Sequence, residues 1–144
     1  MDIKYYCFNG SCKLVFYYKD RFGAQPARIF SDPEGHPIHG FQSEGLGMLE
    51  EVPHYDTHPR MLELAEQLSQ GFQYCRVDFY SVEGKVYFGE LTHYTGAGME
   101  KLDSYEMDLA LGRLWLPENK HKSLMEVYSE VMSISKQRSV RSGQ

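Results

Sequence analysis

At 144 residues, with 42% apolar and 24% charged residues, the chain has the size and composition of one globular domain able to bury a core. Eleven tyrosines and eight phenylalanines make it rich in aromatic residues, which favour strands and half-buried surfaces. A net charge of −5 argues against a duplex nucleic-acid binder, which needs clustered Lys and Arg, but it leaves nucleotides open.

Residues 2–8 and 12–18 are aromatic and apolar on either side of Asn9-Gly10, a strong hairpin signal. Cys7 and Cys12 flank that turn and can face each other across the hairpin. From Lys19 to Pro59 the chain is rich in Gly, Pro, Asp and His, with a short apolar segment near Ile29, and reads as a long loop. Pro59 suits the first turn of a helix carrying Met61, Leu64, Ala65, Leu68 and Phe72, with Gly71 as its stop. Residues 74–80 and 85–92 form a second hairpin around Val82-Glu83-Gly84. Asp103 with Glu106 resembles a capping box opening a helix to about Leu114. A last helix is expected over 118–135, with Leu124, Val127, Tyr128 and Val131 on one face, followed by a disordered basic tail over 136–144. No apolar run nears the ~20 residues of a membrane span. Met1–Lys4 does not open a secretory signal, and an odd cysteine count suits a reducing compartment, so a cytoplasmic location is expected.

The second hairpin carries the chemistry. With Gly84 as the last of three loop residues, Ser81 pairs with Lys85, Asp78 with Phe88, Arg76 with Glu90 and Tyr74 with Thr92. Side chains alternate along a strand, so Arg76, Asp78, Glu90 and Thr92 project from one face. A two-residue loop would shift this register and separate them. Two carboxylates with a hydroxyl and an arginine suit Mg²⁺, which takes hard oxygen ligands and leaves positions for phosphate and water. The arginine can hold a phosphate through two parallel bonds. The same pattern also describes a solvated sheet face with a cross-strand Arg–Glu pair.

Two other chemistries have weaker support. His36, His39, His54 and His58 invite a zinc reading, but no HExxH or CxxC spacing accompanies them. Cys75 beside Arg76 is a conceivable nucleophile, but alternation turns it to the opposite face.

Arg76-Val-Asp-Phe-Tyr80, a turn, then Val86-Tyr-Phe-Gly-Glu-Leu-Thr92 and the loop Thr95-Gly-Ala-Gly98 resemble the C-terminal part of ATP-grasp ligases. The branch they are most similar to is the TupA-like one, related to teichuronopeptide biosynthesis. Asp2–Gly10, Asp20-Arg21-Phe22 with Arg28, the Met61–Phe72 helix and Leu111–Pro117 also fit, so the resemblance spans residues 2–117. It implies an α+β fold in which helices pack on one face of a mostly antiparallel sheet, as in the C-terminal ATP-grasp subdomain. It places a partial ATP-grasp domain at 1–117.

The activity implied is ATP- and Mg²⁺-dependent ligation of a carboxylate to an amine through an acyl-phosphate, serving a cell-surface polysaccharide or glycoconjugate. Asp78 and Glu90 would be the Mg²⁺ ligands, and Thr92, standing where the family usually has Asn, a weaker third ligand or a group just behind them. Arg76 would stabilise the transferring phosphoryl group, which is electrostatic work. Asp2 and Lys4 would meet the nucleotide, and Arg21 and Arg28 a phosphate or a substrate carboxylate. Thr95-Gly96 replaces the family's usual Pro-Gly. The nucleotide lobe would precede Met1 or come from a separate chain, and no GxxxxGK[ST] or GxGxxG replaces it. The alternative is a non-catalytic interaction or regulatory domain that keeps this fold.

Overall fold

A computed structural model describes residues 1–20, 22–39, 47–98, 102 and 104–142. Strands β1 (Asp2–Phe8) and β2 (Ser11–Lys19) form the first hairpin. Its two turn residues, Asn9 and Gly10, take φ of 51° and 76°, the left-handed pair that a two-residue hairpin loop requires. Strand β3 (Ala27–Ser31) pairs with β2, and the short β4 (Pro37–Ile38) and β5 (Gly47–Met48) both pair with β3, β5 in parallel. Helix α1 (His58–Leu68) leads to the second hairpin, β6 (Tyr74–Val82) and β7 (Lys85–Thr92). A 3₁₀ turn at Thr95–Gly98 precedes α2 (Tyr105–Leu114), and a second at Pro117–Asn119 precedes α3 (Leu124–Ser142). The sheet order is β4-β3-β2-β1-β6-β7, so β1 lies in the middle and β7 at an edge.

Alternation along the strands gives the sheet two apolar faces, and each has its own helical cover. Met61 and Ala65 of α1 pack on Ile3, Tyr5, Cys7, Val15, Tyr17, Val77 and Phe79. Met107, Ala110 and Leu114 of α2, with Leu124, Val127 and Val131 of α3, pack on Phe8, Leu14 and Tyr74 of the other face. Helices therefore cover both faces, where one face was expected. The aromatic strands are apolar on both sides, and one helix cannot bury two faces. The sheet is otherwise mostly antiparallel and the fold α+β, as anticipated.

Three other expectations change. The Lys19–Pro59 loop contributes β3, β4 and β5; β4 and β5 are too short to leave a periodic signal. Helix α2 is capped by Ser104, whose hydroxyl accepts from the Met107 N–H at 3.2 Å, while Asp103 lies outside the described residues. The true capping box opens α3. The Ser123 N–H donates to Glu126 at 2.6 Å, and the Glu126 N–H donates to the Ser123 hydroxyl at 3.2 Å. From there α3 runs to Ser142, so 136–142 is helical rather than a disordered tail. That stretch contains no Gly or Pro to stop a helix.

Candidate functional site

The second hairpin closes on two residues, not three. Glu83 (φ 50°) and Gly84 (φ 73°) make the loop, and Val82 pairs with Lys85, Ser81 with Val86 and Phe79 with Phe88. Continued unbroken, that register would turn Glu90 and Thr92 away from Arg76 and Asp78. A β-bulge between Asp78 and Phe79 gives β7 one extra residue, Gly89, and from there Asp78 pairs with Glu90 and Arg76 with Thr92. The expected pairings of Asp78 with Phe88, Arg76 with Glu90 and Tyr74 with Thr92 are therefore incorrect. The bulge restores the parity that the shorter turn removes, and the four side chains share a face after all. Space at Gly89 is tight: a Cβ there would lie 3.0 Å from Tyr80 Cε2 and 3.1 Å from the Asp78 carbonyl oxygen. A glycine inside a strand pattern was the available signal for it.

Asp78 is the centre of the cluster. Its Oδ1 accepts from Arg76 Nε at 2.7 Å, and its Oδ2 accepts from Arg76 Nη2 at 2.8 Å and from Lys4 Nζ. Lys4 reaches it because β1 lies next to β6 with Lys4 opposite Asp78. Arg76 Nη2 also donates to Glu90 Oε1 at 2.7 Å and to the Thr92 hydroxyl at 3.1 Å, and Thr92 in turn donates to Glu90 Oε1 at 2.7 Å. Asp2 lies 3.8 Å from Lys4 Nζ. The side chains of Lys4, Arg76 and Asp78 are at most 10% exposed, whereas that of Glu90 is 60% exposed. Burial alone would depress the Arg76 guanidinium, but the hydrogen bonds and charge of Asp78 outweigh it and hold the pKa above its ordinary value.

The remaining candidates stand apart. Arg28 is buried on β3, opposite Tyr18, with β2 between it and Lys4's strand. Arg21 lies outside the described residues. Cys75 is buried beneath α1, and burial pushes its thiol up, the wrong direction for a nucleophile. His58 has both ring nitrogens engaged, Nδ1 2.8 Å from the Tyr5 hydroxyl and Nε2 2.9 Å from the Pro33 carbonyl. Of the four candidate zinc histidines, His36 alone joins a cluster able to hold a metal among the described residues, with Asp32 and Glu34.

A family model described as TupA-like ATPgrasp matches residues 1–116. The chain belongs to this family. No curated protein and no solved structure matches it. The ATP-grasp family generally uses ATP and Mg²⁺, and the donor set on the sheet fits a hard divalent cation. Two cations, Lys4 and Arg76, face three carboxylates, Asp2, Asp78 and Glu90, leaving one negative charge over. Glu90 Oε2 takes no part in the bonds described, and Asp78 Oδ1 accepts only one. These oxygens are the least engaged of the Asp78–Glu90 pair, and a metal held there would keep its other positions for phosphate and water. No described helix is long and apolar enough to cross a membrane.

Proposed function

We propose that this chain carries the metal and phosphoryl half of an ATP- and Mg²⁺-dependent carboxylate–amine ligase. The observation supporting it is the convergence of Lys4, Arg76, Asp78, Glu90 and Thr92 on one sheet face through the Gly89 bulge. Bound Mg·ATP would supply the phosphoryl group that activates the carboxylate as an acyl-phosphate. Glu90, exposed and with a free oxygen, would hold the metal first, and Asp78 Oδ1 would join it. Thr92 and Arg76 fix the orientation of Glu90, so its free oxygen is set before any ligand arrives. Arg76 and Lys4 are held by Asp78 in a water-poor site, where fixed positive charge acts strongly on developing negative charge. Asp2, beside Lys4, would help orient that amine toward the nucleotide. Arg28, on β3, would meet a phosphate or a substrate carboxylate, and Arg21 is assigned to the same kind of group. The amide formed would belong to a cell-surface polysaccharide or glycoconjugate, made in the cytoplasm, with the nucleotide lobe lying outside this segment or on a separate chain.

One observation favours a second reading. Both oxygens of Asp78 are already bonded to Arg76 and Lys4, a self-satisfied network that suits a non-catalytic interaction domain equally well. Calorimetric titration of ATP into the chain, with and without Mg²⁺, separates the two. The ligase reading expects Mg²⁺-dependent binding that Glu90→Gln weakens at least about tenfold, the loss of one ligand bond worth roughly 1.4 kcal/mol. Binding indifferent to both Mg²⁺ and Glu90→Gln would refute the hairpin assignment, and no binding under either condition would favour the interaction domain.

A further inference from the structure

We infer that the aromatic cavity between the sheet and α2 is a subsite for a small organic cation, a protonated amine on an apolar body of about ring size. The inference rests on the ligase reading only for its role, in which this is the amine that is joined. In that role its nitrogen bonds the acyl carbon as the carbonyl–phosphate C–O bond breaks. Phosphate leaves, and the ammonium gives its two surplus protons to water. The cavity, about 240 Å³, is lined by Tyr6, Phe8, Tyr74 and Trp115, together with His93 and Asp108. A dry cavity of about 150 Å³ takes a benzene ring, so this one has room for a ring and a short arm.

The charge of the ligand follows from what the lining offers. Among the described residues that line the cavity none is Lys or Arg, and the one carboxylate is that of Asp108. Arg76 does not line it, and its charge is met by Asp78 and Glu90 in a cluster that keeps one negative charge over. An anion would therefore be desolvated here without a partner. A cation meets three attractions instead. Tyr74 stacks on Trp115 with ring centres 5.1 Å apart and planes 17° apart, while Phe8 and Tyr6 are tilted 54° and 52° to Tyr74. Rings set at such angles around one space turn negative faces to it from more than one direction, which attracts an ammonium. Asp108 adds a full negative charge, although it is exposed and its pull is modest. His93 adds an acceptor. Its Nδ1 lies 3.4 Å from the Tyr74 carbonyl oxygen, which only accepts, so the neutral ring is assigned its proton there and Nε2 accepts. A sugar ring is disfavoured because its hydroxyls find few partners, the Thr95 hydroxyl being already bonded to that of Tyr74 at 2.5 Å.

Trp115 is the chain's one tryptophan, so its fluorescence reports on this wall. Benzylamine, benzyl alcohol and benzoate are alike in shape and differ in charge. Each is titrated into wild type, Asp108→Asn and Tyr6→Leu, with circular dichroism as the check on folding. Saturable quenching by benzylamine, about tenfold tighter than by either comparator, is the expected result. Asp108→Asn should cut the preference for benzylamine over benzyl alcohol about two- to fivefold, and Tyr6→Leu about threefold or more. The affinity of the alcohol registers any loss of apolar wall, so the ratio isolates the charge. No quenching by benzylamine, equal or tighter binding of a comparator, or a preference unchanged in either folded variant overturns the subsite. Displacement of benzylamine by adenosine also overturns it, by making the cavity a pocket for the nucleotide base. Mg·ATP is titrated into the same proteins by calorimetry. Benzylamine binding without nucleotide binding keeps the subsite and removes its ligase role, whereas nucleotide binding without benzylamine binding removes the subsite alone.

Discussion

The two hairpins of this molecule use the same parts to different ends. Each turns on two residues in left-handed conformation, Asn9-Gly10 and Glu83-Gly84, and each carries a bulge that shifts the pairing by one residue. In β1–β2 the shift falls between Tyr6 and Cys7. It lets Cys12 join the α1 core while Leu14 packs on the α2–α3 side. In β6–β7 the shift falls between Asp78 and Phe79, beside an edge strand whose residues are largely exposed. There it brings Glu90 and Thr92 to Arg76 and Asp78. A bulge in a doubly covered hairpin adjusts packing, whereas the same device in a half-open one gathers polar side chains on one face.

The comparison breaks most sharply at the charges. Arg76→Met would leave Asp78 buried with Lys4 alone, and loss of one partner from such a cluster costs about 3–5 kcal/mol. Urea unfolding should show that loss, whereas truncating the exposed Glu90 should cost under about 1 kcal/mol. If the two losses are equal, the buried and exposed halves of the cluster do not differ as described. Next comes the bulge. Gly89→Ala crowds Tyr80 and the Asp78 carbonyl, and overpacking of this kind costs about 1–3 kcal/mol. Deleting Gly89 should instead rotate Glu90 and Thr92 off the face, abolishing Mg²⁺-dependent binding of ATP in a chain that still folds.

The turns give smaller effects of opposite sign. Asn9 is suited to its conformation and also donates to the carbonyls of Leu114 at 3.0 Å and Trp115 at 3.2 Å, tying the first hairpin to α2. Asn9→Glu should cost about 1–2 kcal/mol. Glu83 makes no such tie and is ill-suited to a positive φ, so Glu83→Asn should stabilise by up to about 1 kcal/mol. Thermal unfolding of both variants checks the pair, and a shift in the same direction for both would contradict it. The smallest effect lies outside the hairpins. Bonds from the Ser123 N–H and hydroxyl hold the Glu126 carboxyl below its ordinary pKa. A depressed folded pKa means that the cap stabilises above the ordinary carboxylate range and is lost as pH falls through it toward the folded value. Helicity of α3 should therefore decline on acidification, and Glu126→Gln should remove that pH dependence.

How much of this was legible in the sequence follows from the same residues. Asn-Gly announces its turn because both residues tolerate left-handed backbone, so β1–β2 was readable to within a residue. Glu-Gly does not, because glutamate seldom occupies that region, and the loop reads one residue too long. The site residues nonetheless came out together, because the turn error and the unforeseen bulge each shift parity by one and cancel. Gly89 was visible as a strand glycine, but no rule of local spacing says on which side of it the register changes. The role of Lys4 at Asp78 depends on β1 pairing with β6, a contact across most of the domain that periodicity does not encode. The same holds for the wall shared by Tyr6, Tyr74 and Trp115, which exists only once α2 has docked.

The three cysteines add a consequence of their own. Cys7 is the register partner of Cys12 on one side and of Cys75 on the other, and all three are reduced and sealed beneath α1. A thiol reagent can reach them only when α1 lifts from the sheet or the central strands part. Alkylation would thus time the opening of the α1-covered core. Strand β7, which holds Glu90 and carries no cysteine, can fray without starting that clock.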